Sequence, residues 1–468
     1  LDYIFPTVSV LALLMLLLHL AAYALPGELA WGSWPYATLP PVTGWALALG
    51  VAALSLPAVN RAVRRVPGLL WEALPGKEHR HLWFAFLALA SLPIFWAARL
   101  GHLCWGDSFL LAKGIANPEA RLTYNWQAPL TVFLHAKLWA LGSGLFGWPD
   151  AATAYALTST LCGGLFVYVL LLAAHALGRN GPERAVIFGL VASAGAIQLF
   201  FGYVENYTIM SLGILLYLYL GLRCLRGEIG LAWPATALAL SNAFHPSTIV
   251  LAPSLLYLFW RRAKSGARAG AVAGLALPFV LVALGVLLLL QSGGHGLDAL
   301  TGVDAPGGMD RRWLVPLWRA ETRWEHYTMF SWGHLRDIAN EQLLIAPFGL
   351  PLIAAIVTLK ARRTSQADMG GLLPFLALAT GFYLLFTWVW NPDYGGQRDW
   401  DLFAPAAWPL MFLAAYLLTR LADGRDDLAA SGLVLSATSL LFTAAWVYTN
   451  TQPYLTLNGS PLPFCPVP

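Results

Sequence analysis

Five short stretches gather the polar groups able to do chemistry in an otherwise apolar chain. Trp105-Gly106-Asp107-Ser108 supplies one acid, followed by Tyr124-Asn125-Trp126-Gln127-Ala128-Pro129 and an amphipathic stretch through His135. Gly202-Tyr203-Val204-Glu205-Asn206-Tyr207 supplies a second acid, and Asn242-Ala243-Phe244-His245-Pro246 a histidine. The segment 292–341 holds Arg311, Arg312, Arg319, Arg323, Glu321, Glu325, His326, His334 and Asp337. The last stretch, Trp390-Asn391-Pro392-Asp393-Tyr394-Gly395-Gly396-Gln397-Arg398-Asp399-Trp400-Asp401, sets acids and one arginine among aromatic rings.

A carboxylate within hydrogen-bond reach of an acceptor hydroxyl can take its proton as a new bond forms, and Asp107 is the candidate base. A planar arginine fork neutralises a leaving phosphate better than a flexible lysine; Arg398 is the first choice and the Arg311 to Arg323 group the second. Glu205 and His245 are candidates to orient a sugar or acceptor. Asn206, Gln127, Asp393, Tyr394 and Asp401 are further substrate-binding candidates, and Asp399 is placed to fix the Arg398 fork. With many rings for stacking, this set suits a substrate carrying a lipid tail, a phosphate and a sugar. Each residue also has an ordinary reading. Asp107 would serve as a helix N-cap, His245 as a cap beside Pro246, Arg319, Glu321, Arg323 and Glu325 as paired charges on a solvated helix, and Arg398 as an ion pair with its flanking acids. Glu205 is harder to dismiss, because an ionisable group at mid-membrane costs about 2.5–3.5 kcal/mol and its turn is tight.

The elements that must position these residues are apolar helices. Of 468 residues, 58% are hydrophobic and 11% charged, with a mean hydropathy of +0.62, against about 25% charged in a soluble domain. A single water-soluble domain is excluded, and 21 Trp, 17 Tyr and 23 Phe exclude a disordered chain. Hydropathy gives an all-α polytopic transmembrane bundle of about thirteen spans, starting near residues 4, 42, 82, 152, 185, 207, 230, 247, 270, 342, 371, 402 and 428. Spans of about 20 residues would use roughly 260. Segments 60–81, 178–184, 223–229, 261–268, 360–370 and 420–427 hold 18 of the 28 Lys and Arg, which makes them cytoplasmic loops. The opposite loop over 26–41 carries Glu28 and no basic residue. The N-terminus is then inside, the C-terminus outside, and all five polar stretches fall on the outer side. Short amphipathic helices are expected in the outer loops.

The first span has no basic leader and ends in Tyr-Ala-Leu-Pro, so it reads as an anchor. Cys162 falls within a span and Cys224 near the inner edge, which leaves Cys104 and Cys465 as the pair on one side, with no further signal for a bond. No CxxC, HExxH, GxxxxGK[ST] or GxGxxG motif occurs, which argues against a zinc protease, a nucleotide-driven pump and a dinucleotide enzyme. The net charge of +4 gives no reason to expect a nucleic-acid partner. No internal repeat is visible, and Asn458-Gly459-Ser460 is an outer sequon.

At these residues the chain resembles the GT-C class of integral-membrane glycosyltransferases, which take sugars from polyprenyl-phosphate carriers on the outer face. The resemblance rests on Trp105-Gly106-Asp107 in the first large outer loop, the stretch with Ala128-Pro129-Leu130, the compact turns with Glu205 and His245, and a later large outer loop. Two spans precede the helix leading into Asp107, and no second acid adjoins it; both features differ from the usual pattern. The resemblance implies an inverting transfer with Asp107 as base, a polyprenyl-phosphate-linked sugar donor, a glycan, lipid or protein acceptor, and a plasma (inner) membrane site with an outer or periplasmic active face. It divides the chain into 1–81 (two spans and a basic loop), 82–420 (a catalytic module with outer loops 101–151 and 292–341) and 421–468 (last span and tail). No cofactor is expected. Asp107, Glu205, Asp393, Asp399 and Asp401 would supply oxygen ligands to a divalent metal only if the fold brought them together, and an essential metal is disfavoured. A transporter or lipid flippase, and a silent subunit of a larger membrane assembly, remain open alternatives.

Overall fold

The computed structural model of the chain describes residues 4–74, 78–117, 128–266, 268–297, 299, 312–360, 371–422 and 424–453. Gln127, Arg311, the Asn458 sequon and Cys465 lie outside them. The described residues form helices, with one isolated bridge between Leu314 and Trp390. In chain order they are α1 (Ile4–Ala21), α2 (Pro41–Ala52), α3 (Pro57–Val63), α4 (Val66–Glu72), α5 (Arg80–Ala97), α6 (Ser108–Ala116), α7 (Pro129–Phe146), α8 (Ala152–Leu177), α9 (Gly181–Ala192), α10 (Tyr207–Leu225), α11 (Ala232–Phe244), α12 (Ala252–Lys264), α13 (Arg268–Ser292), α14 (Trp332–Ile345), α15 (Gly349–Lys360), α16 (Leu372–Val389), α17 (Trp400–Phe403), α18 (Ala407–Leu421) and α19 (Arg425–Thr451).

Each expected span start has a helix near it, but the count of thirteen is not reached. Among the described residues, eight helical stretches are long and apolar enough to cross a membrane, and two bent pairs, 41–72 turning by 86° and 332–359 by 92°, raise this to ten. The difference is geometric. Hydropathy counts apolar residues, whereas α9, α11 and α12 run for only 12, 13 and 13 residues, short of the ~20 a span needs. The expected helices of the first outer loop are present as α6 and α7.

Helix α18 is central. Trp408 is fully buried and packs its ring 4.5 Å from that of Phe166. At the other extreme, α13 buries only Ala271, Pro278 and Leu290, the pattern of a helix against lipid. Because lipid tails are as apolar as leucine, close van der Waals fit rather than water exclusion holds such helices together. Gly163 and Gly164 on α8 show how. A β-carbon at Gly164 would meet Leu92 at 2.6 Å, and one at Gly163 would meet Phe95 and Phe200 at 2.8 Å, so α5 lies where only glycine leaves room.

The bundle has two chemically distinct ends. Helix α19, with 27 residues, is about 40 Å long. At its start Asp426 pairs with Arg64 at 2.7 Å and Arg65 at 3.0 Å. At its far end Asn450 accepts the Trp105 indole N–H at 2.7 Å, beside the acids singled out above. Gly164→Leu should cost about 1–3 kcal/mol by overpacking. It should lower the thermal unfolding temperature in detergent, and an unchanged temperature would show that α5 and α8 are not in this contact.

Candidate active site

The segment leaving α5 is pinned before it reaches Asp107. The Leu100 N–H donates to the Phe201 carbonyl, and the Gly101 N–H to the Asn450 carbonyl, each at 2.8 Å. Gly106 then joins three segments. Its N–H donates to the Arg398 carbonyl at 2.9 Å, its φ is +46°, and a β-carbon there would lie 2.8 Å from Glu205 Oε1 and 3.2 Å from Asp401 Oδ2. Only glycine suits both the left-handed backbone and the space.

Asp107 stands at the N-cap position of α6, yet its side chain makes no cap hydrogen bond. Its Oδ1 instead accepts the Tyr394 hydroxyl at 2.9 Å. Its own N–H donates to Glu205 Oε1, and the Asn206 N–H donates to Glu205 Oε2 at 2.9 Å. Asp401 Oδ2 accepts the Tyr203 hydroxyl and Oδ1 the Leu402 N–H, both at 3.1 Å. Asp399 Oδ2 accepts the Tyr394 N–H at 2.7 Å, so it fixes the tyrosine that faces Asp107. The Arg398 guanidinium lies over the Tyr394 ring, 4.7 Å from its centre. Glu205, Asp399 and Asp401 are 2%, 7% and 1% exposed, whereas Asp107 is half-buried and Arg398 likewise.

Burial, and then the neighbouring Asp401 and Asp107 carboxylates, push the Glu205 carboxyl well above the usual range, outweighing its two backbone donors. Burial first and Asp401 second raise Asp399 in the same way. Tyr394 is raised by burial and by Asp107, which keeps its phenol protonated and donating. Desolvation lowers the half-buried His102 imidazole of the same loop to about 4.

The other expected residues fall around this centre. Asn206 Oδ1 faces the Tyr155 hydroxyl at 3.4 Å, and the His135 ring stacks on Tyr155 at 3.6 Å. His245 accepts the Ser247 N–H through Nδ1 at 3.3 Å, capping the 3-10 turn Pro246–Leu251, and its ring is 4.9 Å from that of Tyr207. It joins the site through Tyr207 while also serving as a cap. The Asp393 carbonyl accepts from His326 Nε2 at 2.9 Å. The solvated helix considered over 319–325 is not formed. Glu325 Oε2 instead accepts the Glu321 and Thr322 N–H groups at 2.6 and 2.8 Å, closing a turn, and Arg323 covers the Trp324 ring. Among the described residues no three His, Cys, Asp or Glu side chains are placed to hold a metal ion.

Two groups escaped the sequence reading. Tyr203, noted only as part of its stretch, satisfies Asp401. Glu341, one helical turn after Asp337 on α14, is 2% exposed with no hydrogen-bond partner on either oxygen and lies in electrostatic reach of Asp401, Asp337 and Asp399. Its signal was the spacing of two acids four apart, which puts both on one face of a helix.

The chain is similar to the solved structure of ArnT from Cupriavidus metallidurans bound to undecaprenyl phosphate, with a TM-score of 0.51 at 13% identity, covering 79% of this chain and 77% of that one. Against the apo state of the same protein the TM-score is 0.46 at 14% identity, over 79% and 76%. The likeness is one of fold. No protein-family model and no curated protein matches the chain.

Because the Glu205 pKa is raised on folding, its contribution to stability is full below the unfolded value near 4.5 and is lost as pH climbs through the folded value. Raising pH from weakly acidic to 8 should therefore lower the unfolding temperature of the wild type more than that of Glu205→Gln. Parallel curves would show that Glu205 is not held in this way.

Proposed function

We propose that the chain is a membrane glycosyltransferase that moves a sugar from a polyprenyl-phosphate donor to an acceptor hydroxyl on the outer face, with inversion and with Asp107 as general base. One observation carries the reading: Asp107 is the accessible carboxylate in a set of acids drawn together from loops around residues 107, 205 and 400, and its side chain is turned away from helix capping toward Tyr394. The fold shared with a protein solved with undecaprenyl phosphate supports the donor class.

In this mechanism the acceptor hydroxyl loses its proton to Asp107 while its oxygen bonds to the anomeric carbon, and the bond from that carbon to the phosphate oxygen breaks. The leaving phosphate keeps the electron pair and meets the Arg398 guanidinium, which the Tyr394 ring holds in place. Glu205 positions Asp107 through its backbone N–H. Asn206, His245 and Asp393 line the approach, and Gln127 is the remaining candidate contact. The acceptor is a glycan, lipid or protein hydroxyl.

The sidedness of this proposal rests on two features. Arginines crowd the end of α19 opposite the site, as cytoplasmic loops do. Cys104, beside the acids, is disulfide-bonded, which suits an oxidising compartment such as the periplasm. The site then faces outward from the plasma (inner) membrane. The bend between α14 and α15 is the feature a transporter would use, and that reading predicts movement of a labelled solute or lipid in liposomes without covalent change.

Asp107→Asn should reduce sugar transfer from a polyprenyl-phosphate donor by about 10²–10⁴-fold with folding intact; retained turnover would remove Asp107 as the base. Arg398→Ala should weaken donor binding by about 10–100-fold, the scale of a lost hydrogen bond to a charged group. Unchanged donor affinity would exclude the clamp.

A further inference from the structure

A large cavity lies remote from the acids. It is an apolar groove of about 900 Å³ between α4, α5, α8, α9 and α19, near the top of the ~300–1,000 Å³ range of ligand pockets. Its floor is a close helix contact, since a β-carbon on Gly189 would lie 2.6 Å from the Ser436 hydroxyl and one on Gly432 2.3 Å from Val186, and the small Ala90 and Ala437 side chains keep the walls low. Leu70, Ile94 and Leu440, also on its walls, are 65%, 62% and 56% exposed, so the groove opens toward the surrounding membrane.

Its charge is confined to one end, where Arg64 belongs to the lining. There the cations outnumber the acids. Asp426 is shared by Arg64 and Arg65, and Glu183 is shared by Arg179 and Arg420. Arg184 lies in electrostatic reach of Arg80, of Glu183 and of Glu72. With Asp427 beside Asp426 on the first turn of α19, six arginines thus stand with four carboxylates at this end, near the point where α4 meets the start of α9. That contact is close, since a β-carbon on Gly181 would lie 2.4 Å from the Gly68 carbonyl. A long apolar trough ending in surplus guanidinium charge matches one kind of molecule, an acyl lipid with an anionic headgroup.

We propose that this groove is a binding site for an anionic phospholipid of the leaflet opposite the acid cluster, its acyl chains lying along α5 and α19 and its phosphate meeting Arg64, Arg80 and Arg184. The site goes beyond the transfer reaction and stands independently of it. The lipid would lie over the α9–α19 contact, in the space between α5 on one side and α4 and α19 on the other, tying the broken α2–α4 element to the bundle.

The test uses the full chain in detergent, titrated with phosphatidylglycerol and phosphatidylcholine of matched acyl chains and read by native mass spectrometry. Phosphatidylglycerol should bind about tenfold more tightly, the scale of one or two arginines acting on an anionic headgroup. The pair Arg64→Gln and Arg184→Gln should bring the two lipids to equal affinity. Arg80→Gln, which should narrow the preference, replaces that pair if loss of the Asp426 contact prevents folding. The pair Ala90→Phe and Ala437→Phe should weaken both lipids by narrowing the trough. Equal affinities in the wild type, or phosphatidylglycerol binding untouched by the phenylalanine pair, would overturn the site. Because no arm reads sugar transfer, failure here and failure of the enzyme reading are separate results.

Discussion

The constraint on which this structure turns is the desolvation of several carboxylates in one place. Glu205, Asp399 and Asp401 are almost wholly buried and near enough to feel one another, an arrangement that like charges and lost hydration both oppose. What offsets it is a set of fixed donors. Backbone N–H groups of Asp107, Asn206, Tyr394 and Leu402 and the hydroxyl of Tyr203 each meet one of these oxygens. Donors of this kind cannot drift as a lysine can, because each is tied to the local path of the chain. Satisfying the acids therefore dictates where three remote loops must run.

Gly106 and Tyr394 show how that requirement is met at the level of single residues. Gly106 leaves the Glu205 and Asp401 oxygens the space that a β-carbon would take, while its N–H holds the Arg398 carbonyl. Tyr394 is held at its backbone by Asp399, reaches Asp107 with its hydroxyl and carries Arg398 on its ring. Two acids and a cation are thereby tied to one residue. Such preorganisation is what electrostatic catalysis demands, since groups already in position need not reorganise as charge develops.

Much of this site was legible because ionisable groups are expensive in so apolar a chain, so Asp107, Glu205, Arg398 and Asp401 stood out before any contact was known. The partnership itself was not legible. Asp107 and Glu205 are 98 residues apart, and no local pattern states that the carboxylate of one takes the N–H of the other. Tyr203 was overlooked because a tyrosine beside apolar residues reads as packing until its hydroxyl is seen on Asp401. The helices were legible in type and approximate start but not in reach. The apolar run entering α9 continues past Ser193 into the 3-10 turn Gly195–Phe200, so hydropathy sees one span where the backbone changes its winding.

Those interruptions follow from placing a polar site at the edge of a membrane bundle. A straight helix satisfies its own backbone and presents only side chains, whereas the acids here need free N–H groups, which exist only where helices start or loops turn. The first turn of α6, the turn before α10 and the loop entering α17 supply them at one end of the bundle. Long α5, α8 and α19 carry those ends to a common level, and glycines on α8 let α5 approach closely enough to keep them there. Short and broken elements near the acids, and long apolar elements beneath them, are therefore two parts of one solution: irregular backbone is confined to the place where its unpaired N–H groups have carboxylates to meet.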